Sequence, residues 1–182
     1  MTDTNLSAKP CTYPGWLTAE LRSNHAGELG AVMIYRGILA VSTDPVLRAF
    51  AEEHLATERQ HLQTMESLLS QSKRSRLQWP WCVAGWFIGA LPALIGNQWV
   101  YATIQTVETF VDDHYQKQIA RLKTEAPTNP ITEILERCCA DEVMHRQDAT
   151  ARIEGNVSFA LSAWLKVVDL GSRSAVAVAR CV

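Results

Sequence analysis

The sequence predicts an all-α protein, and three observations support this fold class. Apolar residues recur at helical spacing in five segments, and no segment shows the strict apolar–polar alternation of a half-buried strand. Helix start signals stand where several of these segments begin. With 182 residues the chain is long enough to bury a sizeable core, so we expect one domain over residues 1–182.

The first predicted helix runs from Thr18, a residue that can cap it, to about Ser42. Its apolar face carries Glu28, and Gly27 and Gly30 flank this glutamate. Glycine destabilises a helix interior, so these two positions predict close packing.

The next helices follow from an N-cap residue that precedes a proline at the first helical position. This signal occurs at Asp44-Pro45 and again at Asn129-Pro130. The short links before these two signals predict two antiparallel hairpins. The predicted helices after the first are therefore Pro45 to about Ser70, a segment ending near Lys123, Pro130 to about Ile153, and a last segment from Ser158 to Val182.

A Glu-x-x-His motif occurs twice, at Glu58–His61 and at Glu142–His145. Each motif follows a lone glutamate in a helical segment, Glu28 by 30 residues and Glu108 by 34. Positions i and i+3 of a helix point the same way, so each motif offers a carboxylate and an imidazole to one point. From 12 Glu and 5 His in 182 residues, chance predicts roughly 0.3 such motifs, so the repetition carries the signal.

Two single glutamates and two Glu-x-x-His pairs on four helices are the ligand set of a di-iron carboxylate site in a ferritin-like four-helix bundle. Carboxylates and imidazoles without a thiolate suit iron or manganese better than a structural zinc site. Four carboxylates balance two ferrous ions, so two iron ions per chain are the expected cofactor. Without metal, four clustered glutamates in a core would be severely penalised. The predicted ligands are Glu28, Glu58, His61, Glu108, Glu142 and His145.

Further polar residues lie beside this predicted site. His114 and Tyr115 are candidates to support the ligands by hydrogen bonds. For His54 and His114 the alternative to such a donor is a core histidine, and neither is expected to be an extra ligand. Asp141 and Asp148 are either ordinary charged helix residues or hydrogen-bond partners of a ligating histidine.

A long connection over residues 71–98 separates the hairpins, as the crossover of a ferritin-like bundle does. Residues 78–107 contain no Asp, Glu, Lys, Arg or His, which by length alone would suit a transmembrane helix. A span here would place the two halves of the ligand set on opposite sides of a bilayer. We therefore predict an apolar elbow that packs on the bundle and dips into one leaflet, with a wholly buried crossover as the alternative. The last helix, apolar nearly all round, is buried by protein or partly by lipid.

Composition excludes several other classes of protein. The net charge of −2 and the lack of a basic stripe argue against nucleic acid as a partner. Five cysteines without C-x-x-C spacing predict a reducing compartment, and Cys138 and Cys139 are expected to be small buried hydrophobes. Residues 1–15 are polar and lack a secretory signal, so we expect a flexible leader on a bacterial cytoplasmic product.

Four runs of the sequence resemble the demethoxyubiquinone hydroxylases, the di-iron monooxygenases of ubiquinone biosynthesis. The glycine-rich stretch from Gly85 to Gly96 and the closing apolar helix are also similar, so the resemblance covers residues 18–182. The runs are Asn24–Glu28, Thr57–His61, Val107–Tyr115 and Asp141–Arg146.

This resemblance implies that the six predicted ligands hold two iron ions. It implies insertion of one oxygen from O2 into the quinone ring of a polyprenyl-benzoquinone, with NADH as the electron source, directly or through the quinone. It further implies peripheral attachment to membrane lipid, at the cytoplasmic face of the bacterial inner membrane. Other proteins of ubiquinone biosynthesis and a second copy of the chain are candidate partners.

The alternative function is iron handling by a ferritin-like oxidase or a rubrerythrin-like peroxidase. An iron-storage cage would predict a polar surface rather than a run of 30 uncharged residues. A rubrerythrin would usually add four cysteines in paired C-x-x-C spacing, which this sequence lacks.

Overall fold

The computed structural model describes residues 13–182, and in this part of the chain every regular element is helical. The all-α prediction is therefore confirmed. The elements are α1 (Gly15–Val41), α2 (Pro45–Leu68), a 3₁₀ turn (Gln71–Lys73), α3 (Gln78–Ile95), α4 (Asn97–Glu125), α5 (Ile131–Ala151) and α6 (Phe159–Ala179).

Two predicted caps are present. The Asp44 carboxylate accepts a hydrogen bond of 2.7 Å from the backbone N–H of Leu47, at the start of α2. The Asn129 side chain accepts one of 3.0 Å from the N–H of Ile131, where α5 begins. These bonds satisfy donors that the first turn of a helix leaves unpaired.

The predicted start of α1 is wrong by one turn. Thr18 does not cap the helix, because its own N–H already bonds to the carbonyl of Pro14 and its hydroxyl turns back to the carbonyl of Tyr13. The fully buried Leu17 draws this first turn onto the bundle. Of the leader predicted to be flexible, residues 1–12 lie outside the described residues, and Gly15 already belongs to α1.

Helices α1, α2, α4 and α5 form an antiparallel four-helix bundle. Asn24 and Gln118 exchange two hydrogen bonds of 2.8 Å, and Tyr35 bonds to Glu108, so α1 and α4 run in opposite directions. Each of them pairs with the next helix along the chain as an antiparallel hairpin. Cys138, predicted to be a small buried hydrophobe, lies in the core between these helices.

Helix α3 runs parallel to α1 with the two backbones in contact. A Cβ on Gly85 would collide with the backbone of Gly30, and one on Gly89 would collide with the backbone of Ile34. Both pairs are four residues apart along their helices, so one face of α3 lies flat on α1. Glycine at 85 and 89 is therefore a packing requirement.

The uncharged run 78–107 is divided between α3 and α4. Helix α3 ends and α4 begins at Gly96, whose φ of 153° is a conformation that other residues rarely adopt. Trp79 and Leu94 on α3 are 77% and 68% exposed, so the alternative of a wholly buried crossover is wrong. No helix within residues 13–182 is both long and apolar enough to cross a membrane.

Helix α6 packs along α4 and returns to the start of α1. The indole N–H of Trp164 donates to the hydroxyl of Thr103 over 2.8 Å, and Arg180 forms an ion pair of 2.9 Å with Glu20. Its opposite side is open, with Leu170 67% exposed. Helices α3 and α6 thus cover the side of the α1–α4 pair that α2 and α5 leave free.

Candidate metal centre and its cavity

The four bundle helices bring all six predicted ligands together in the core. Their candidate ligand atoms form two overlapping groups, within each of which all atoms lie within 4.8 Å of one another. Glu58 and Glu142 belong to both groups, whereas Glu28 and His61 belong to one group and Glu108 and His145 to the other. All six residues are buried.

Each histidine faces a carboxylate from the other motif. Nδ1 of His61 lies 3.0 Å from Oε1 of Glu142, and Nδ1 of His145 lies 3.0 Å from Oε1 of Glu58. Both rings therefore direct the same nitrogen toward the centre of the cluster.

A metal fits this donor set. Both carboxylate oxygens of Glu58, Oε2 of Glu142 and Nδ1 of His145 are buried without a hydrogen-bond partner. Buried polar atoms are nearly always satisfied, so four unpartnered atoms at one point indicate a site that suits a cation. Oxygen and imidazole donors suit iron or manganese.

The electrostatics of the cluster also favour a cation. Burial, and then the charge of Glu142, raise the pKa of Glu28 to about 7 and raise those of Glu58 and Glu108 well above their usual range. Burial alone would raise the pKa of Glu142 too, but its contacts with the two histidines lower this pKa to about 2. Four carboxylates removed from water need positive charge nearby to stay ionised.

Two tyrosines complete the arrangement. The hydroxyl of Tyr35 donates to Glu108 over 3.3 Å, and that of Tyr115 donates to Glu28 in a shorter bond. Burial raises both hydroxyl pKa values, so both groups remain protonated donors.

The role of Tyr35 was missed in the sequence, although a signal for it exists. Each single glutamate of the ligand set is followed seven residues later by a tyrosine, Glu28 by Tyr35 and Glu108 by Tyr115. Seven residues are two helical turns, which keeps both side chains on one face. Each tyrosine then bonds to the glutamate of the opposite helix.

The flanking aspartates differ in what they contact. Oδ2 of Asp141 lies 3.1 Å from Nε2 of His61, as expected of a partner that orients a ligating histidine. Asp148 instead pairs with His54 over 3.0 Å, and the ring of His54 lies edge-on to that of His145 at 4.3 Å. His54 therefore packs on a predicted ligand rather than donating to one.

His114 lies away from the predicted ligands. Its Nε2 is 3.2 Å from the hydroxyl of Ser23 and 2.8 Å from the amide nitrogen of Gln118. Burial, followed by the nearby charge of Arg180, lowers the pKa of His114 to about 4. Of the two roles expected for His114, the structure favours a buried core histidine over a donor to a ligand, and this neutral side chain also lines a cavity.

That cavity has a volume of about 370 Å³ and lies between the α1–α4 pair and the covering helices α3 and α6. The walls are built mainly from glycine, alanine and aliphatic side chains, with Trp81 of α3 among them. One side reaches the cluster, through Glu28, Glu58, Glu108, Glu142 and Tyr115.

Comparison with known proteins identifies the family. The family model described as ubiquinone biosynthesis protein COQ7 matches residues 16–179. The chain belongs to the COQ7 family.

Among COQ7-family relatives, the NADPH-dependent 3-demethoxyubiquinone 3-hydroxylase of Caenorhabditis elegans mitochondria is 31% identical over 163 residues, 87% of each chain. The 3-demethoxyubiquinol 3-hydroxylase of Rhodospirillum rubrum is 37% identical over 130 residues, which are 69% of this chain and 60% of that protein. The mitochondrial NADPH-dependent 3-demethoxyubiquinone 3-hydroxylase of Homo sapiens is 29% identical over 164 residues, 86% of this chain and 73% of that protein.

The cavity itself was not predicted from the sequence. Its lining comes from all six α-helices, and many of the lining residues are too small to form a conspicuous motif. For this COQ7-family chain, the nearest signal in the sequence is the pair of glycines beside Glu28, for which the sequence alone predicts close packing.

Proposed function

We propose that this protein is a di-iron monooxygenase that hydroxylates the quinone ring of a demethoxyubiquinone-type polyprenyl-benzoquinone, a late step of ubiquinone biosynthesis. One observation carries the proposal: a buried cluster of four glutamates and two histidines forms one side of an apolar cavity. The names of the relatives from Caenorhabditis elegans and Rhodospirillum rubrum specify the same reaction.

The six clustered residues would hold two iron ions, and Glu58 and Glu142 belong to both groups of candidate ligands. Bound iron would supply the redox chemistry that activates O2. One oxygen atom enters the ring C–H bond and the other leaves as water, which takes up two electrons and two protons. A reduced nicotinamide would provide the electrons. The resemblance to the family implies NADH, whereas the names of the mitochondrial relatives specify NADPH.

The protein itself contributes position and exclusion of water. The hydroxyl of Tyr115 holds one carboxylate oxygen of Glu28 at the edge of the cavity. Its apolar walls suit a quinone ring and the first part of an isoprenoid tail, and they keep water from the ring during reaction. Ferrous oxidation alone would not need such a cavity.

The covering helices offer a surface for membrane lipid. Exposed apolar side chains follow one side of each helix, and Lys73 and Arg76 lie exposed just before α3. Such a surface would bind peripherally to anionic lipid, at the cytoplasmic face of the inner membrane if the source is a bacterium. The exposed apolar residues are Trp79, Phe87, Leu91, Leu94 and Ile95 on α3, and Phe159, Val167 and Leu170 on α6.

The function is tested with iron-loaded protein, a short-tailed demethoxyubiquinone, O2 and NADH or NADPH. We expect a product heavier by one oxygen atom, with label from ¹⁸O₂, and restored ubiquinone synthesis in cells that lack this hydroxylase. Ferrous oxidation without any quinone product would contradict the proposal and favour the iron oxidase or peroxidase.

Membrane binding is tested separately with Phe87→Lys and Leu91→Asp. A charge placed in lipid costs several kcal/mol on simple transfer arguments, so both variants should co-sediment less with anionic vesicles. Their iron content should stay the same, and a short-tailed quinone should be hydroxylated better than a long-tailed one. Val46→Lys is the matched control, because Val46 is 57% exposed on α2, outside the covering helices. Equal binding of all three variants to the vesicles would show that this surface does not bind lipid.

A further inference from the structure

Gly27 lies in the interior of α1, directly before Glu28, and packing does not explain it. A Cβ added at Gly27 would meet no atom of the described residues within 4 Å, whereas one at Gly85 would collide with backbone. Glycine makes a helix interior less stable than alanine does. The close packing that the sequence predicts at Gly27 is therefore not found there.

Gly27 faces the cavity. It is exposed, while its neighbours Ala26 and Glu28 are buried. Ser23 and Ala31, one turn to either side, also line the cavity, so a single face of α1 with small side chains forms this wall.

The predicted metal ligands border the same space. Glu58 lines the cavity, and both of its carboxylate oxygens are buried without a hydrogen-bond partner, as expected of a group that holds a metal. The bare stretch of helix backbone at Gly27 therefore lies in the cavity beside the groups that would hold iron.

We propose that Gly27 is a specificity-determining residue, whose missing side chain leaves room for the substrate ring to lie against α1 beside Glu28. This inference rests on the proposed hydroxylation of a quinone. A flat ring approaches a helix more closely at glycine than at any other residue, because no Cβ stands between the ring and the backbone. The position of the ring relative to the cluster would then depend on Gly27.

Gly30 provides a contrast within the same wall. It also lines the cavity, and a Cβ added there would likewise meet no atom of the described residues within 4 Å. The backbone of Gly30, however, lies against Gly85 of α3, since a Cβ on Gly85 would collide with it.

The experiment compares Gly27→Ala with Gly15→Ala in the iron-loaded protein. Gly15 lies in the same helix and also has no neighbour within 4 Å of an added Cβ, but it does not line the cavity. Iron content and thermal stability are measured first. Quinone affinity is then followed by fluorescence quenching of the tryptophans, among them Trp81 in the cavity wall, and KM is measured by product formation.

We expect Gly27→Ala to keep its iron and its thermal stability, while Kd and KM for the short-tailed demethoxyubiquinone rise about tenfold, as overpacking of a tight contact would produce. An analogue without the ring methyl group should lose less affinity, which a purely structural effect would not cause. Gly15→Ala should match the parent with both quinones.

The possible results separate this inference from the proposed function. If the parent hydroxylates the quinone and Gly27→Ala has the same KM for both rings, the inference is overturned and the function stands. If the parent binds the quinone without hydroxylating it and Gly27→Ala weakens binding, the ring site stands and the function is overturned. Loss of fold or iron in Gly27→Ala, or no quinone binding by the parent, overturns the inference.

Discussion

The α1–α2 and α4–α5 hairpins supply the cluster with the same set of side chains but surround it differently. Each gives a single glutamate, a tyrosine seven residues later, and a Glu-x-x-His pair. The cross-contacts are also reciprocal, since His61 faces Glu142 and His145 faces Glu58 at 3.0 Å. The shared pattern defines where a metal can bind, and the differences around it indicate where chemistry takes place.

The first difference concerns the outer nitrogens of the two histidines. Asp141 contacts Nε2 of His61 directly, whereas the ring of His145 packs against His54, which is itself paired with Asp148. A carboxylate on the outer nitrogen fixes the tautomer and raises the basicity of a ligating histidine. The two groups of candidate ligands are therefore not equivalent in their surroundings.

The second difference concerns the tyrosines. Tyr115 lines the cavity together with its partner Glu28. Tyr35 lies in the bundle core, where its ring stacks on His54 and packs near Phe50. Both tyrosines are buried, but of the two only Tyr115 lies against the cavity.

The largest expected effect comes from the two shared glutamates. Because Glu58 and Glu142 belong to both ligand groups, Glu58→Ala and Glu142→Ala should each lose most of both irons and all hydroxylation. His145→Ala should lose activity and much of the iron. Glu108→Ala should retain more iron than either shared-position variant, and iron analysis on folded protein measures this ranking. Full iron occupancy in Glu142→Ala would show that Glu142 is not a metal ligand.

Next in size is the effect of pH on the metal-free protein. Burial raises the pKa of Glu28 in the folded protein to about 7, above the value of about 4.5 in the unfolded chain. The folded protein therefore becomes less stable as pH rises from about 4.5 through 7, because a buried carboxylate must ionise. The loss is about 3 kcal/mol by order of magnitude. The pKa of His61, raised to about 10 by the surrounding carboxylates against the effect of burial, adds a loss above pH 6.5.

Urea unfolding of the metal-free protein at pH 5 and pH 8 measures whether its stability falls as pH rises. Stability should be lower at pH 8, and Glu28→Gln should reduce the difference because its amide does not titrate. Iron loading should also reduce the difference in stability between pH 5 and pH 8. A metal-free protein that is more stable at pH 8 would contradict the assignment.

Asp141→Asn should weaken iron binding by about 10- to 100-fold, since the amide no longer offers a charged acceptor to Nε2 of His61. Asp148→Asn is the matched control, because Asp148 reaches the cluster only through His54. Competition with a chelator measures both affinities. Equal losses in the two variants would remove the proposed difference between the hairpins.

The residues with regular spacing were those that the sequence could predict. Glu58 and His61 share a face by helix geometry alone, and their repetition at Glu142 and His145 identified the site. The contact between His54 and Asp148, and the placement of His114 in a cavity wall, depend on how helices pack across the bundle. A single helical pattern holds no information on these distances.

The sequence was also unable to show which glycines are required by helix packing. The sequence showed that Gly27, Gly30 and Gly85 stand in helices, and it predicted close packing for the first two. Packing accounts for Gly85, whereas a Cβ added at Gly27 or at Gly30 would meet no atom of the described residues within 4 Å. Whether a missing side chain admits another helix or a ligand depends on the partner, which one helix does not specify.

The smallest expected effect separates Tyr115→Phe from Tyr35→Phe. Each variant removes a hydrogen bond to a buried carboxylate, so each should destabilise the metal-free protein by about 1–3 kcal/mol. Only Tyr115 lines the cavity, so Tyr115→Phe should also reduce quinone hydroxylation several-fold, while Tyr35→Phe should retain the parent rate once iron is bound. Iron-normalised turnover of a short-tailed quinone measures the difference, with urea unfolding as the check on stability. Equal turnover in the two variants would show that the hairpins are equivalent in function as well as in ligands, and that exposure of Tyr115 to the cavity has no catalytic consequence.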